Sequence, residues 1–371
     1  MRNVFTKSLA VSTAALLALG LAACGGNDRE GTADAGATAA AKGFAKDALI
    51  GVALPSKTSE NWVLAGDLFT NGLKEAGFQS DVQYAGASTT VADQQAQITA
   101  MTTKGAKVIV IGATDAAQLS TQVAAAKQAG AVVIAYDRLI TNTKAVDYYV
   151  AFDNFKVGVL QGEALLEGMK AKKATGPWTI ELFSGSPDDN NAGVFFNGAM
   201  DVLKPLIDKG DVVVGSGQKD VKQTAIQGWK AEGAQARMDQ LLTSTYGSKE
   251  LDGVLSPNDT LARAIITSVK AAGKPVPVVT GQDSEVESIK SIMAGEQYMT
   301  INKDTRSLVK ETINMVKALQ AGNAPQVNDQ KSYNNGSKVV DTFLLPPVAV
   351  TKANAAEAYA NDPKLAPLTK A

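Results

Sequence analysis

The chain of 371 residues contains no histidine and one cysteine, and its 36 basic residues are balanced by 37 acidic ones. Without histidine there is no Ser-His-Asp triad, no Cys-His dyad and no His-built zinc site. One cysteine excludes an intrachain disulfide framework and an iron–sulfur cluster held by this chain's thiolates alone. A net charge of −1 offers nucleic acid no electrostatic attraction. A phosphate-binding glycine fingerprint is also missing, since Gly215-Ser216-Gly217 runs into Gln218-Lys219-Asp220 without the third glycine. No clustering of metal-ligand residues stands out, so neither a metal nor a cofactor is expected. What is present is a globular composition, 45% hydrophobic and 20% charged, in a chain long enough for two domains of ordinary size.

At the N-terminus Arg2 and Lys7 precede an apolar stretch from Leu9 to Ala23. It is shorter than the ~20 residues a membrane span needs and suits a signal-peptide core. The stretch ends in Leu21-Ala22-Ala23-Cys24-Gly25-Gly26. That string resembles the bacterial lipobox, which implies cleavage after residue 23 and acylation of Cys24, with palmitate as one of the chains. Several acyl chains suffice for stable anchoring. From Gly25 to about Asp47 the composition turns to Gly, Ala, Thr, Asp and Lys, which cannot bury enough apolar surface to offset the entropy of ordering. This predicts a tether over 24–47 that holds the folded body to the outer face of the cytoplasmic membrane, on the extracellular or periplasmic side. Contact with the membrane is expected through the lipid only.

From Leu49 onward short apolar runs alternate with helical patterns. The strands predicted first are Leu49–Leu54, Asp81–Tyr84, Val108–Ile111 and Val132–Ala135, with helices over Asn61–Ala76, Val91–Thr103 and Leu119–Ala129 between them. In the first helix Trp62, Ala65, Leu68, Leu73 and Ala76 recur at helical spacing, and Gly77 stops it. Near-continuous apolar strands suit a parallel sheet covered on both faces, and βαβ alternation makes a doubly wound α/β domain. A second series follows from Asp153, with strands over Trp178–Phe183, Val212–Val214, Gly253–Ser256 and Val278–Thr280. No Pro-, Gly- or Ser-rich run separates the two, so a structured crossing near Phe152-Asp153 is expected.

Open α/β sheets bind ligands at the carboxyl ends of their strands, and there the unusual polar residues gather. Asp137-Arg138 directly follows a strand, and a guanidinium beside a carboxylate can serve adjacent sugar hydroxyls as donor and acceptor. A surface ion pair is the plainer alternative. Ser186-Pro187-Asp188-Asp189-Asn190-Asn191 opens a helix, where one or two of its polar residues can be caps. Asn258-Asp259 and Gln282-Asp283 each follow a Val-rich strand. Capping is the plainer alternative for Asp259, and Asn258 and Asp283, at the strand ends, are the better ligand candidates. Trp62 and Trp229 offer flat apolar faces to the C–H side of a pyranose, although Trp62 equally suits the core, and Trp178 reads as structural. Paired carboxylates admit a glycosidase, but Asp188 and Asp189 are adjacent and nothing sets an acid and a nucleophile across one bond. Binding is favoured over catalysis, and no enzyme activity is expected.

In order along the chain stand Tyr136-Asp137-Arg138-Leu139-Ile140, Phe152-Asp153-Asn154, Ser186–Asn191, Ser256-Pro257-Asn258-Asp259, Gly281-Gln282-Asp283 and Lys303-Asp304-Thr305-Arg306. From about Leu49 to Thr351 the chain resembles the substrate-binding proteins of bacterial monosaccharide ABC transporters, and within them the xylose-binding and multiple-monosaccharide-binding proteins. The resemblance implies a type I substrate-binding fold: two doubly wound parallel-sheet lobes joined by a three-crossing hinge. The lobes would be 48–152 with 304–344 and 153–303 with 345–371. It implies a cleft with Lys57, Trp62, Asp137 and Arg138 on one side. Asn190 or Asn191, Trp229, Asn258 and Asp283 would face them, with Lys303 at the hinge. Where that branch carries Arg before the helix Trp, this chain has Asn61, which predicts weaker binding of uronates than of neutral sugars. The function implied is capture of a neutral monosaccharide (xylose, glucose, galactose or arabinose class) for an ABC permease with its ATPase, by a monomer. A sugar-sensing partner of a chemoreceptor or sensor kinase would use the same site.

Overall fold

Leu49–Leu54 reads Leu-Ile-Gly-Val-Ala-Leu, and every residue after the first is buried, as a central parallel strand requires. The structure, a computed structural model, describes residues 43–370 apart from 58 and 87–89. The export signal over 1–23, Cys24 and the tether as far as residue 42 lie outside the described residues. The last residues assigned to the tether do not dangle. Phe44 sets its ring 6.3 Å from that of Phe78 and donates its N–H to the Gln320 carbonyl, so this residue, expected within the tether, packs onto the folded body.

The first lobe runs β1 (Leu49–Leu54), α1 (Glu60–Glu75), β2 (Gln79–Tyr84), α2 (Thr90–Thr103), β3 (Val108–Ile111), α3 (Ser120–Gln128), β4 (Val132–Tyr136) and β5 (Tyr148–Phe152). Ser59 caps α1 by accepting from the Asn61 N–H. At the other end Gly77, at φ 88°, turns the chain while Phe78 donates to the Leu73 carbonyl, which closes a Schellman motif. The chain then crosses directly into the second lobe, because Asp153 caps α4 (Asn154–Lys172) through the Lys156 N–H. There follow β6 (Trp178–Leu182), α5 (Asn190–Lys209), β7 (Val212–Val214), a 3-10 turn at Gln227–Trp229, α6 (Ala231–Ser244), β8 (Gly253–Leu255), α7 (Asp259–Ala271), β9 (Val278–Val279), α8 (Val286–Ala294) and β10 (Met299–Asn302). A second crossing returns to the first lobe for α9 (Thr305–Gln320) and β11 (Asp341–Leu345). The third leads to β12 (Val348–Thr351), α10 (Ala355–Ala358) and a closing 3-10 turn at Ala366–Thr369.

The first sheet has the order β11-β5-β4-β3-β1-β2, and each neighbouring pair is parallel. The second is β7-β6-β8-β9, also parallel throughout. Strand alternation divides each core by face. In β3, Val108 and Val110 pack toward α1 and α9, whereas Ile109 and Ile111 join Val123 and Ala126 of α3. In the second lobe Ile180 and Leu182 pack with α4 and α5, and Val254 with α6 and α7. The expected type I architecture with three crossings is the one observed. Strands β5, β10, β11 and β12 had no counterpart among the strands expected from the sequence. β10 and β12 form an antiparallel pair of their own, with Met299 opposite Thr351. Asp341–Leu345 extends the first sheet by lying parallel to β5.

Candidate functional site

Loops from both sheets converge between the lobes, and their non-glycine residues with a left-handed backbone include Asp137 at φ 61°, Trp229 at φ 56°, and the adjacent Asp283 at φ 96° and Ser284 at φ 56°. Such conformations cost on the order of 1–3 kcal/mol each and persist where surrounding structure enforces them. At Asp137 the enforcement is visible. Its carbonyl accepts from the Tyr149 hydroxyl at 2.7 Å and from Asn191 Nδ2 at 2.8 Å.

Arg138 follows on the same loop. Its Nε lies 3.0 Å from Asp189 Oδ2 of the opposite lobe, and its Nη1 donates to the Ala113 carbonyl. The guanidinium carbon sits 5.4 Å from the centroid of Trp62, so the cation also rests on an indole face. Trp62 in turn stands edge-on to Tyr136 at 6.1 Å and packs against the core of the first sheet. Trp62 therefore keeps one edge in the core, as the plainer of its two readings expected, and turns one face toward the arginine.

Asp189 caps α5 by accepting from the Asn191 N–H through Oδ1. Its Oδ2 serves Arg138 and also accepts from Trp229 Nε1 at 3.2 Å. One carboxylate thus ends a helix, seats an indole and meets the other lobe. Trp229 lies so close over Gly185 that a Cβ there would stand 2.0 Å from the indole, which is why that loop position carries glycine. Of the adjacent pair heading α5, Asn191 is buried and reaches Asp137, whereas Asn190 is half-buried on the first turn.

Asp283 Oδ1 pairs with Lys303 Nζ at 3.0 Å, and the Asp283 carbonyl accepts from Asn61 Nδ2 at 3.2 Å across the cleft. The Lys303 ammonium also sits 5.3 Å over the ring of Phe195. Burial by itself would lower the Lys303 pKa, but the charges of Asp283 and Asp137 outweigh it and hold the group above its ordinary value. Burial pushes the Asp137 carboxyl up, against the opposing pull of Lys303 and Arg138. A backbone bond from the Ala116 N–H to the Asp188 carbonyl adds to the contacts between the lobes.

The sequence-derived set is redistributed in one place. Asn258, expected to face a ligand, is the cap of α7 and accepts the Leu261 N–H through Oδ1, which leaves its Nδ2 as the group able to serve a ligand. Asp259, for which capping was the plainer alternative, is fully buried and is not the cap. Its oxygens accept from Gln297 Nε2, Thr300 Oγ1 and the Glu285 N–H. The reason is register, because the α7 cap falls one residue earlier than the pair Asn258-Asp259 suggested. Lys57 stands apart from the charged cluster, exposed, with its ammonium 4.6 Å over the Tyr84 ring. Tyr149 and Asn154 were absent from the expected set. A tyrosine inside Tyr-Tyr-Val-Ala-Phe reads as core, and only its distance to Asp137 reveals the polar end.

Two lobes with parallel sheets, charged loops meeting between them and three hinge crossings fit a family pattern, and residues 50–324 match the model described as the periplasmic binding protein domain. The chain belongs to that family. Among curated periplasmic relatives, the multiple sugar-binding periplasmic receptor ChvE of Rhizobium radiobacter is 49% identical over 320 residues, spanning 85% of this chain and 90% of the relative. The D-xylose-binding periplasmic protein of Escherichia coli K12 is 34% identical over 319 residues, spanning 86% of this chain and 91% of the relative. Among solved structures, an ABC transporter solute-binding protein from Clostridium phytofermentans with bound β-D-glucose is 41% identical at a TM-score of 0.82. The match covers 87% of this chain and all of that one.

Proposed function

We propose that this protein captures a neutral monosaccharide of the xylose, glucose, galactose or arabinose class between its lobes and delivers it to an ABC importer. The observation that carries the reading is the convergence of Asp137 and Arg138 from one lobe with Asp189, Asn191 and Asp283 from the other, beside the indoles of Trp62 and Trp229. Sugar hydroxyls lose water on entry, and each one left unpaired costs about 1–3 kcal/mol. A cleft of alternating donors and acceptors flanked by flat apolar faces meets that need. The relatives named for several sugars and for xylose, and the structure holding glucose, support the same class. A micromolar affinity, about −8 kcal/mol, is roughly −0.7 kcal/mol per atom for a 12-atom sugar, within what small ligands reach.

The charge balance supports neutral cargo. Arg138 is matched by Asp189 and Lys303 by Asp283, so the Asp137 carboxylate is in excess and repels an anionic sugar. Asn61, a neutral amide, spends its Nδ2 on the Asp283 carbonyl. Anchoring through an acylated Cys24 would keep the folded body at the outer face of the membrane, next to the permease. The experiment is calorimetric titration of the purified protein with D-xylose, D-glucose, D-galactose, L-arabinose, D-ribose and D-galacturonate. Tight 1:1 binding of a neutral pyranose is expected. Silence across the neutral sugars overturns the reading, and galacturonate binding as tightly as galactose overturns the charge argument.

A further inference from the structure

Tyr149 is fully buried on β5, yet its hydroxyl lies at the meeting point of three chain segments. It donates to the Asp137 carbonyl at 2.7 Å and accepts from Asn154 Nδ2 at 3.2 Å, and Asn154 is the first residue after the hinge crossing. Asn191 of the opposite lobe brings Nδ2 to the same Asp137 carbonyl and Oδ1 to within 3.3 Å of the tyrosine oxygen. Behind the ring stands Tyr333, edge-on at 5.2 Å, and its hydroxyl accepts from the Asn154 N–H. Burial holds the Tyr149 hydroxyl well above its ordinary pKa, so it remains a proton donor at every physiological pH.

The donor order is constrained. Asn154 Nδ2 occupies a lone pair of the Tyr149 oxygen, which directs the single O–H proton toward Asp137. That bond fixes the Asp137 peptide at its left-handed φ of 61° and presents its carbonyl's second lone pair to Asn191. Asn191 can complete the arrangement only when the lobes are together, whereas Tyr149 and Asp137 belong to one lobe.

We propose that Tyr149 is a positioning residue for closure: its hydroxyl orients the Asp137 carbonyl so that Asn191 can latch the second lobe onto it, holding the cleft shut over its ligand without touching that ligand. The inference rests on the binding function proposed above. It makes the stability of the closed state, rather than entry of the sugar, the quantity that Tyr149 controls. Removing the hydroxyl frees the Asp137 peptide and leaves Asn154 Nδ2 without this acceptor, while the ring keeps its packing against Tyr333.

The test is stopped-flow measurement of kon and koff for the tightest-binding neutral sugar on the wild-type protein, Tyr149→Phe, Asn191→Ala and the double variant. Tyr149→Phe is expected to raise koff about tenfold and to change kon less than twofold. In the Asn191→Ala background the same substitution is expected to change koff less than twofold, because its effect passes through that latch. A purely structural role for Tyr149 lowers the binding amplitude as molecules unfold but leaves koff of the folded ones unchanged. An unchanged koff in Tyr149→Phe, or equal effects of the hydroxyl with and without the Asn191 amide, overturns the proposal. Failure of the wild-type protein to bind any sugar is a different result, and it overturns the proposed function together with what rests on it.

Discussion

Arg138 of the first lobe and Asp189 of the second meet at 3.0 Å between largely buried side chains, and this contact joins two loops whose chain positions are otherwise far apart. Asp189 is at once the helix cap of α5, the acceptor of the Trp229 indole and the counter-ion of Arg138. The Arg138–Asp189 contact therefore couples charge neutralisation to the seating of an aromatic face. Removing one member of a buried pair leaves the other uncompensated, at about 3–5 kcal/mol.

From that coupling, Arg138→Ala is expected to weaken sugar binding at least about 100-fold, since every 1.4 kcal/mol is tenfold. Asp189→Asn keeps a side-chain oxygen for the α5 cap but leaves the buried Arg138 guanidinium without its counter-ion, so weaker binding together with a lower melting temperature is expected. Calorimetric titration gives the affinities, and small-angle scattering at saturating sugar reads whether the variants still compact. Wild-type affinity in Arg138→Ala contradicts the role given to the pair.

Gly185 lies beneath the indole of Trp229, where a Cβ would stand 2.0 Å from the ring. Gly185→Ala is expected to push Trp229 off Asp189 and to lower sugar affinity at least tenfold while the protein stays folded. The change in Trp fluorescence on adding sugar should shrink in parallel.

Helices α4 and α5 cross with glycines at the contact: a Cβ on Gly158 would stand 1.9 Å from the Phe195 carbonyl oxygen, and one on Gly198 2.1 Å from that of Phe155. Backbone atoms cannot swing aside as a side chain can. Each Gly→Ala change is expected to destabilise by the upper end of about 1–3 kcal/mol for overpacking, read from the urea midpoint at constant m.

Burial, with Glu285 and Asp283 beside it, holds the Asp259 carboxyl well above its ordinary pKa. A carboxyl with a raised folded-state pKa favours the folded state at low pH, and that advantage is lost as pH climbs from about 4, its unfolded value, through the folded one. Asp259→Asn removes the charge and with it this pH dependence. The difference in melting temperature, variant minus wild type, is therefore expected to be more favourable at pH 8 than at pH 5. The opposite slope counts against a raised Asp259 pKa.

Cys24→Ala is expected to release the protein from the membrane fraction and to abolish incorporation of radiolabelled palmitate. Retention in the membrane despite the substitution rules out the proposed anchor.

Much of the body was legible along the chain. Apolar strands such as Val108–Ile111 were located to the residue, because burial on both faces leaves no polar position in them. The strands β10 and β12 were not, because Met299–Asn302 and Val348–Thr351 become strands by pairing with each other across about fifty residues. Asp137, Arg138 and Asp283 were visible as unusual polar residues at strand ends. Tyr149 and Asn154 were not, since one sits in an apolar run and the other reads as the start of a helix.

What the sequence by itself determined was the alternation of buried strands and helices, the strand-end loops that carry the charges, and the chemistry ruled out by having no histidine and one cysteine. Those follow from local pattern and composition. Which charges meet was decided only by the tertiary structure. Arg138 finds Asp189 and Lys303 finds Asp283, because partners carried on separate loops, in the first pair on different lobes, acquire a distance only when both sheets and the hinge are in place.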